Sequence, residues 1–237
     1  MFEKLKKLAA LLPYSLLRSA LVQHRVAATT EHFEAIRFVS PASVIDVGAN
    51  KGQFSLAVKA LFPSCVIHAF EPLDGAAELY KALFGPDPSV TLHRLALGAN
   101  AGNATLHVAS REDSSSLLAI TGNQTRAYGI KAKTEAQVQI KRLDAALNIA
   151  ALPRPRFLKI DVQGTELEVL KGVGALNEID FIYVELSFVA LYRDQALFED
   201  VHAFLNDKGF SLRGVFNVSN TKAFGPTQID ALYCMEK

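Results

Sequence analysis

The chain has 237 residues, of which 50% are hydrophobic and 21% are charged, and its formal net charge is +1. This length suits one large globular domain better than two, and the near-neutral charge gives no reason to expect a nucleic-acid partner. Only two cysteines are present, and both lie in apolar segments. We therefore expect neither a disulfide scaffold nor a cysteine-based zinc site. We expect the protein to be cytoplasmic, where thiols remain reduced.

Residues 1–40 predict an N-terminal helical extension. The apolar positions that share one face of a helical wheel are Leu5, Leu8, Leu12, Leu16 and Ala20. Basic residues share another face, and the apolar run is too short to span a bilayer. We predict a packing helix or a homodimer contact, with peripheral attachment to a membrane surface as the alternative.

Residues 41–237 predict an α/β domain with a mostly parallel sheet, because short aliphatic or aromatic runs alternate with helical patterns. The predicted strands are "SVIDV", "CVIHAFEP", "VTLHRLALG", "FLKIDVQG" and "FIYVEL". The late segments "SLRGVFNV" and "DALYCMEK" predict a closing antiparallel pair. A helix is predicted in "TELEVLKGVGAL", with a capping box at Thr165 and Glu168 and with Glu166 on a solvent-exposed first turn.

Residues 98–152 interrupt this alternation of strands and helices. Two alternating stretches, "ATLHVAS" and "AQVQIKRL", flank a long polar segment. Long irregular segments in compact domains usually have a function. We therefore predict an inserted β-hairpin or lid.

The loop after the first strand, in "VIDVGANKGQF", has a glycine pattern that excludes two ligand classes. A dinucleotide fingerprint, Gly-x-Gly-x-x-Gly, would need two further glycines where the chain has Asn50 and Gln53. A phosphate-binding Walker loop would end in Gly-Lys-Ser or Gly-Lys-Thr, and this loop does not. Both phosphate-binding interpretations are disfavoured.

Acids remain beside this loop. The pattern is Asp46, Gly48, Asn50 and Gly52, with Glu71 at the end of the second strand. An acid at that second position is placed to accept hydrogen bonds from two ribose hydroxyls, and Asp46 is placed to pair with loop donors or a cationic ligand group. This combination favours a nucleoside with a positive centre, such as S-adenosylmethionine. The alternative is that the glycines serve only a tight turn.

Six motifs occur in the order typical of one family. They are "VIDVGANKGQFS", "HAFEPL", "SSSLL", "VQIKRLDAAL", "FLKIDVQGTELEVLKG" and "IYVEL". In these motifs the chain resembles the FkbM family of S-adenosylmethionine-dependent methyltransferases. The resemblance implies a class I methyltransferase (Rossmann-like) sheet of seven strands. It also implies that Asp46, Gly48, Asn50 and Gly52 surround the methionine part of the donor and that Glu71 holds the ribose.

The resemblance also supplies candidates for the reaction. Asp161 ends the strand that faces the transferred methyl group in this fold, so it is the first candidate for a base or an acceptor-orienting group. Glu185, at the end of the next strand, is the second. Ser114, Ser115 and Ser116 are candidates for contact with the donor's carboxylate or with the acceptor, with Ser116 assigned to the donor, and the alternative is a serine-rich loop without a site role. Two such acids also form a ligand pattern for a divalent metal, but this spacing is weak support and we predict no metal site.

The chain departs from the family's pattern at two places. Ala99 stands where many members have Asp after the third strand. Gln163 and Thr165 stand where many members have Glu and Phe in a Glu-Gly-Phe-Glu motif. The first departure removes an expected contact on the adenine side, and the second changes the charge near the fourth strand.

The resemblance leads us to expect an O-methyltransferase that acts on a hydroxyl group of a sugar, a glycan or a natural-product intermediate. The alternative from another class is a non-catalytic module that binds S-adenosylmethionine, and the retained Asp161 and Glu185 argue against it. A nicotinamide-dependent oxidoreductase is disfavoured by Asn50 and Gln53.

Overall fold

A computed structural model describes residues 11–236 of the chain. Its strands are β1 (Ser43–Val47), β2 (Val66–Phe70), β3 (Val90–His93), β4 (Ala96–Leu97), β5 (Gly102–Ala109), β6 (Ala132–Lys141), β7 (Arg156–Ile160), β8 (Phe181–Ser187), β9 (Phe210–Thr221) and β10 (Gly225–Met235). Its α-helices are α1 (Ser15–Ser19), α2 (Phe33–Val39), α3 (Gln53–Leu61), α4 (Asp74–Phe84), α5 (Gly122–Tyr128), α6 (Leu143–Ala146), α7 (Glu166–Lys171) and α8 (Phe198–Asp207).

A seven-stranded sheet with the order β3-β2-β1-β7-β8-β10-β9 forms the centre of the fold. The first five strands of this order pair in parallel, and β10 pairs antiparallel with both β8 and β9. The predicted class I methyltransferase fold, mostly parallel with an antiparallel C-terminal pair, is therefore confirmed. Parallel neighbours need helical crossovers, and the alternation read from the sequence supplies them.

Both faces of the sheet are covered, which explains the uninterrupted apolar strands of the sequence. Every residue of β1 is buried. Its alternate side chains enter different cores, with Ile45 and Val47 on one side and Val44 on the other. Because β1 is packed on both faces, the core fixes the position of its carboxyl end and of the loop that follows it.

The predicted third strand is split in two. It was expected to continue through "VTLHRLALG", but the chain turns at Leu95, whose N–H donates to the carbonyl of His93. As a result β3 belongs to the main sheet and β4 joins a second sheet with the order β4-β6-β5. In this second sheet β5 and β6 are antiparallel, which confirms the inserted hairpin.

The segment between β5 and β6 packs on the loop that follows β8. It contains a 3-10 turn, Glu112–Ser114, and the helix α5. An isolated bridge joins Ile120 to Tyr192, and the N–H of Arg193 donates to the carbonyl of Ala119. The inserted segment is thus attached to the main domain at its far end as well as at its base.

Of the predicted apolar face of the N-terminal helix, Ala20 is buried, but Leu12 and Leu16 are not. Leu12 is 58% exposed and Leu16 is 37% exposed, whereas Leu17 is fully buried. The α-helical period does not continue here, because α1 has five residues and passes into a π-helical turn, Ala20–His24. Leu5 and Leu8 lie outside the described residues. No helix in residues 11–236 has the length and apolarity needed to cross a membrane.

Two expectations about the start of α7 are wrong. Thr165 makes no side-chain capping bond, and Glu166 is buried instead of solvent-exposed. The carboxylate of Glu166 turns back and accepts the N–H of Gly164 at 2.9 and 3.0 Å. The Glu166 carboxyl therefore holds the turn that precedes α7, and burial raises its pKa to about 7.

Candidate functional site

The carboxyl ends of the parallel strands open into a cavity of about 440 Å³. Ligands of open parallel sheets bind at this edge. The inserted segment and the pair β9–β10 form its other walls. The predicted site residues that line the cavity are Gly48, Asn50, Glu71, Asp161 and Glu185.

The loop after β1 is held in a tight left-handed turn. Gly48 has a φ of +75°, and a Cβ atom there would lie 1.9 Å from the backbone oxygen of Asp161. Asn50 also has a positive φ, of 47°, a conformation that asparagine tolerates better than most residues. Gly48 therefore lets the loop pack directly on the end of β7, and Asp161 lies beside the loop.

Glu71 is buried and fixed by backbone donors. Its Oε2 accepts the N–H of Asn50 at 2.8 Å, and its Oε1 accepts the N–H of Leu73 at 2.8 Å. Burial raises the pKa of the Glu71 carboxyl, and these two hydrogen bonds and the positive charge of Lys159 oppose that shift. Each carboxylate oxygen keeps lone pairs for a further donor.

Asp46 does not line the cavity. Its side chain is fully buried, and Oδ2 accepts the hydroxyl of Ser55 at 2.7 Å. Ser55 accepts the hydroxyl of Tyr80 at 2.9 Å. The cation that pairs with Asp46 is Lys159, whose Nζ lies 3.2 Å from Oδ1. The Asp46 carboxylate is therefore buried beneath the loop and is separated from the cavity.

Lys159 is a central residue of the site that the sequence did not predict. It is buried on β7, next to Asp46 in the register of the β1–β7 pair, and its Nζ donates to the carbonyl of Gly48 at 3.0 Å. Burial acts to lower its pKa, but Asp46 and Asp161 outweigh burial and the pKa is raised. The sequence feature that could have indicated this role is a lysine in the middle of an apolar strand.

The two candidate acids are brought together by one amide group. Nε2 of Gln163 donates to Oδ1 of Asp161 at 2.8 Å and to Oε2 of Glu185 at 2.7 Å. Oε1 of Gln163 lies 2.9 Å from the hydroxyl of Tyr192, which donates to it. In the sequence Gln163 stands out only as a departure from the family's pattern, and its bridge between the two acids depends on the position of β8 beside β7.

The electrostatic surroundings of the two acids differ. Burial raises the pKa of Glu185 well above its ordinary value, and the charges of Asp161, Asp230 and Glu166 raise it further. The opposing charge of Lys159 only reduces the shift. The Asp161 side chain is 40% exposed and opens to the cavity. Glu185 therefore retains a proton at a higher pH than an ordinary glutamate does.

A second polar cluster, which the sequence did not predict, lies beside the antiparallel strands β9 and β10. Asp230 stands opposite Glu185 in the β8–β10 register. Its Oδ2 accepts the amide of Asn217 at 2.8 Å and lies 3.5 Å from Nδ1 of His32. Burial raises the pKa of Asp230 to about 7 and lowers that of His32 to about 4. His32 is therefore neutral at neutral pH.

Ser116 and Gly52 do not line the cavity. The hydroxyl of Ser116 is buried and donates to the backbone carbonyl of Gln163 at 2.6 Å. Its neighbours Ser114 and Ser115 do line the cavity. Within the described part of the chain, no group of three or more His, Cys, Asp or Glu side chains has a metal-binding arrangement.

Comparison with known proteins identifies the family. Residues 46–212 match the description "Methyltransferase FkbM domain". Methyltransferase 1 of Beauveria bassiana is 26% identical over 195 residues, covering 76% of each chain. Methyltransferase sdnD of Sordaria araneosa is 27% identical over 208 residues, covering 77% of this chain and 79% of the relative. The 2-O-methyltransferase NoeI of Sinorhizobium fredii is 26% identical over 160 residues, covering 64% of this chain and 66% of the relative. The chain is therefore an S-adenosylmethionine-dependent methyltransferase of the FkbM family.

Proposed function

We propose that this enzyme methylates a hydroxyl group of a sugar, a glycan or a natural-product intermediate. The observation that carries this proposal is the pair of carboxylates, Asp161 and Glu185, which share the amide nitrogen of Gln163 at the cavity wall. An alcohol loses a proton when it is methylated, and a carboxylate within reach of the hydroxyl accepts it. The name of one relative, 2-O-methyltransferase, also supports oxygen as the methylated atom.

The residues at the β1–β2 end of the cavity fit the methyl donor. The fixed carboxylate of Glu71 suits two ribose hydroxyls. The buried Oδ1 of Asn50 has no hydrogen-bond partner within residues 11–236 and suits a donor group of the ligand. S-adenosylmethionine, when bound, would supply a methyl group that is carried on a sulfonium sulfur, and the sulfur would keep the electron pair of the broken carbon–sulfur bond. Asp46 and Gly52 keep the loop in shape beneath it.

The two acids take different roles in this proposal. Asp161 is the base, because its side chain opens to the cavity and the cation of Lys159 lies 3.8 Å from its Oδ2. Glu185 has a raised pKa and retains its proton more readily, so it orients the acceptor hydroxyl. The inserted segment in residues 98–152 acts as a lid over the acceptor. The enzyme is placed in the cytoplasm, where its unpaired thiols, Cys65 and Cys234, remain reduced.

Two measurements on the purified chain test the proposal. Calorimetric titration should show binding of S-adenosylhomocysteine and no binding of NAD, and absence of S-adenosylhomocysteine binding would refute donor use. With methyl-labelled donor and hydroxylated acceptors, the product should carry the label on oxygen. Asp161→Asn should retain S-adenosylhomocysteine binding and lose about 100-fold or more in turnover. Glu168→Gln, on the exposed side of α7, is the matched control.

A further inference from the structure

Three carboxylates wall one end of the cavity. Asp161 follows β7, Glu185 lies on β8 and Asp230 lies on β10, and these strands are neighbours in the sheet. Glu185 and Asp230 face each other directly across the antiparallel pair. The end of the cavity away from the β1–β2 loop is therefore lined by three neighbouring carboxyl groups.

A primary amide occupies one oxygen of each carboxylate. Gln163 donates to Oδ1 of Asp161 and to Oε2 of Glu185, and Asn217 donates to Oδ2 of Asp230 at 2.8 Å. In residues 11–236 no hydrogen bond reaches Oδ2 of Asp161 or Oε1 of Glu185. Because both acids are bonded to the same nitrogen, these two free oxygens belong to neighbouring groups. Oδ2 of Asp161 can accept a donor of a ligand, and the Glu185 carboxyl, which retains its proton, can donate as well as accept, so the two suit adjacent hydroxyl groups on one ligand.

Gln124 of α5 adds an acceptor from the side of the inserted segment. Its side chain lines the same cavity and is only 2% exposed. Its Nε2 donates to the hydroxyl of Tyr192 at 2.8 Å, while its Oε1 is buried and finds no partner among the residues that the structure describes. A buried amide oxygen without a donor is unfavourable unless a ligand provides one.

The cations of the cavity wall are already neutralised. Nζ of Lys159 lies 3.2 Å from Asp46 and donates to the carbonyl of Gly48. Arg111 is 61% exposed and pairs with Asp113 at 3.1 Å. A carboxylate or phosphate group on the acceptor would therefore add negative charge beside these acids, and within residues 11–236 each lysine or arginine that lines the cavity already has an acidic partner.

We propose that this end of the cavity binds a polyhydroxylated acceptor unit that is neutral or carries an amine, such as a neutral or amino sugar, and rejects units with a carboxylate or phosphate. Hydroxyl and amino groups supply donors to Asp161 and Gln124, and a hydroxyl group can also accept the proton of the Glu185 carboxyl. The inference rests on the proposed function, because the acceptor must enter the same cavity as the donor.

The test uses three p-nitrophenyl glycosides of one ring type: the glucoside, the 2-amino-2-deoxyglucoside and the glucuronide. Binding is measured by saturation-transfer NMR with S-adenosylhomocysteine present, and turnover is measured with labelled S-adenosylmethionine. The glucoside or the amino sugar should exceed the glucuronide at least about tenfold in kcat/KM. Asp230→Asn should lower this ratio, and Glu135→Gln, on the exposed side of β6, should leave it unchanged.

The outcomes separate the inference from the proposed function. Loss of S-adenosylhomocysteine binding would refute the donor site itself. If S-adenosylhomocysteine binds but the glucuronide is preferred, or none of the three glycosides binds, the inference is wrong and the donor site stands. If glycoside binding requires added Mg²⁺ and is abolished by EDTA, the free oxygens are cation ligands and the inference is also wrong.

Discussion

Nζ of Lys159 lies 3.2 Å from Oδ1 of Asp46, and both side chains are buried between β1 and β7. The same ammonium group donates to the carbonyl of Gly48. One buried ion pair therefore ties the sheet to the loop that we assign to the methyl donor. Because both charged groups are buried away from water, removing either one would leave the other as an uncompensated charge and destabilise the fold.

Replacing Lys159 should destabilise the protein strongly. Lys159→Met leaves Asp46 as a buried charge without its partner, and the expected loss in free energy of unfolding is about 3–5 kcal/mol. Denaturant titration measures it. Lys171→Met is the matched control, because Lys171 pairs with Glu168 at the exposed surface, where such pairs contribute at most about 1 kcal/mol. A loss with Lys159→Met as small as that of the control would contradict the buried pair.

A side chain at position 48 should disrupt the loop. In Gly48→Ala the new Cβ would approach the backbone oxygen of Asp161 to 1.9 Å, so the loop or β7 has to move. The left-handed conformation adds a penalty of about 1–3 kcal/mol. We expect lower unfolding stability and weaker binding of S-adenosylhomocysteine together, measured by denaturant titration and calorimetry.

Gly122→Ala is the control for that change. Gly122 begins α5 without a positive φ, and no atom lies within 4 Å of an added Cβ. Its effect on stability should stay within about 0.5 kcal/mol. Equal effects of the two substitutions would show that the close approach at Gly48 is not the cause.

The sequence predicted the parts of the site that depend on local order. The strand-loop-helix pattern around Gly48 and the acid after β2 are local signals, and the structure has the loop and Glu71 at one cavity. Lys159, Gln163 and Asp230 were missed as site residues because their contacts cross strands. Which face of a strand a side chain takes, and which neighbour it meets, depends on a sheet register that the sequence alone did not provide.

Some local predictions failed for the same reason. The Thr165 and Glu168 spacing matches a capping box, but no side-chain cap forms, and the neighbouring Glu166 is buried and accepts the N–H of Gly164. A buried partner thus prevailed over a local preference. The prediction of one continuous third strand was also wrong, because Ala96 and Leu97 pair with β6 instead of continuing in the main sheet.

Asp230 should contribute a fall in stability as pH rises through the range from about 4 to 7. The pKa of Asp230 is raised to about 7 from its ordinary value of 3.8, so the folded state binds a proton that the unfolded state has lost. This contribution lowers the unfolding free energy with pH by up to about 1.4 kcal/mol per unit, and the lowered pKa of His32 acts in the opposite direction. Asp230→Asn should therefore make the slope of unfolding free energy against pH more positive than in the wild type, in denaturant titrations at a series of pH values.

Glu78 provides a control of opposite sign. Its hydrogen bond to Arg94 lowers the pKa of the Glu78 carboxyl, so any contribution to stability is present above the ordinary pKa of 4.5 and is lost as pH falls below it. Glu78→Gln should therefore leave the slope between about pH 5 and 7 as it is in the wild type. An unchanged slope in Asp230→Asn would contradict the assignment to Asp230.

Changing the amide of Gln163 to a carboxylate should impair catalysis more than folding. Gln163→Glu removes the N–H donors that Asp161 and Glu185 share and adds a third acid between them. The added negative charge raises the pKa values of the neighbouring carboxyls. We expect a loss of about tenfold or more in kcat/KM at pH 7, and a shift of the acidic limb of the pH–rate profile to higher pH. A role limited to packing would lower stability without moving that limb. Gln137→Glu, on the exposed part of β6, makes the same chemical change away from the cavity and should leave the profile in place. If both variants give the wild-type profile, Gln163 does not position the two acids.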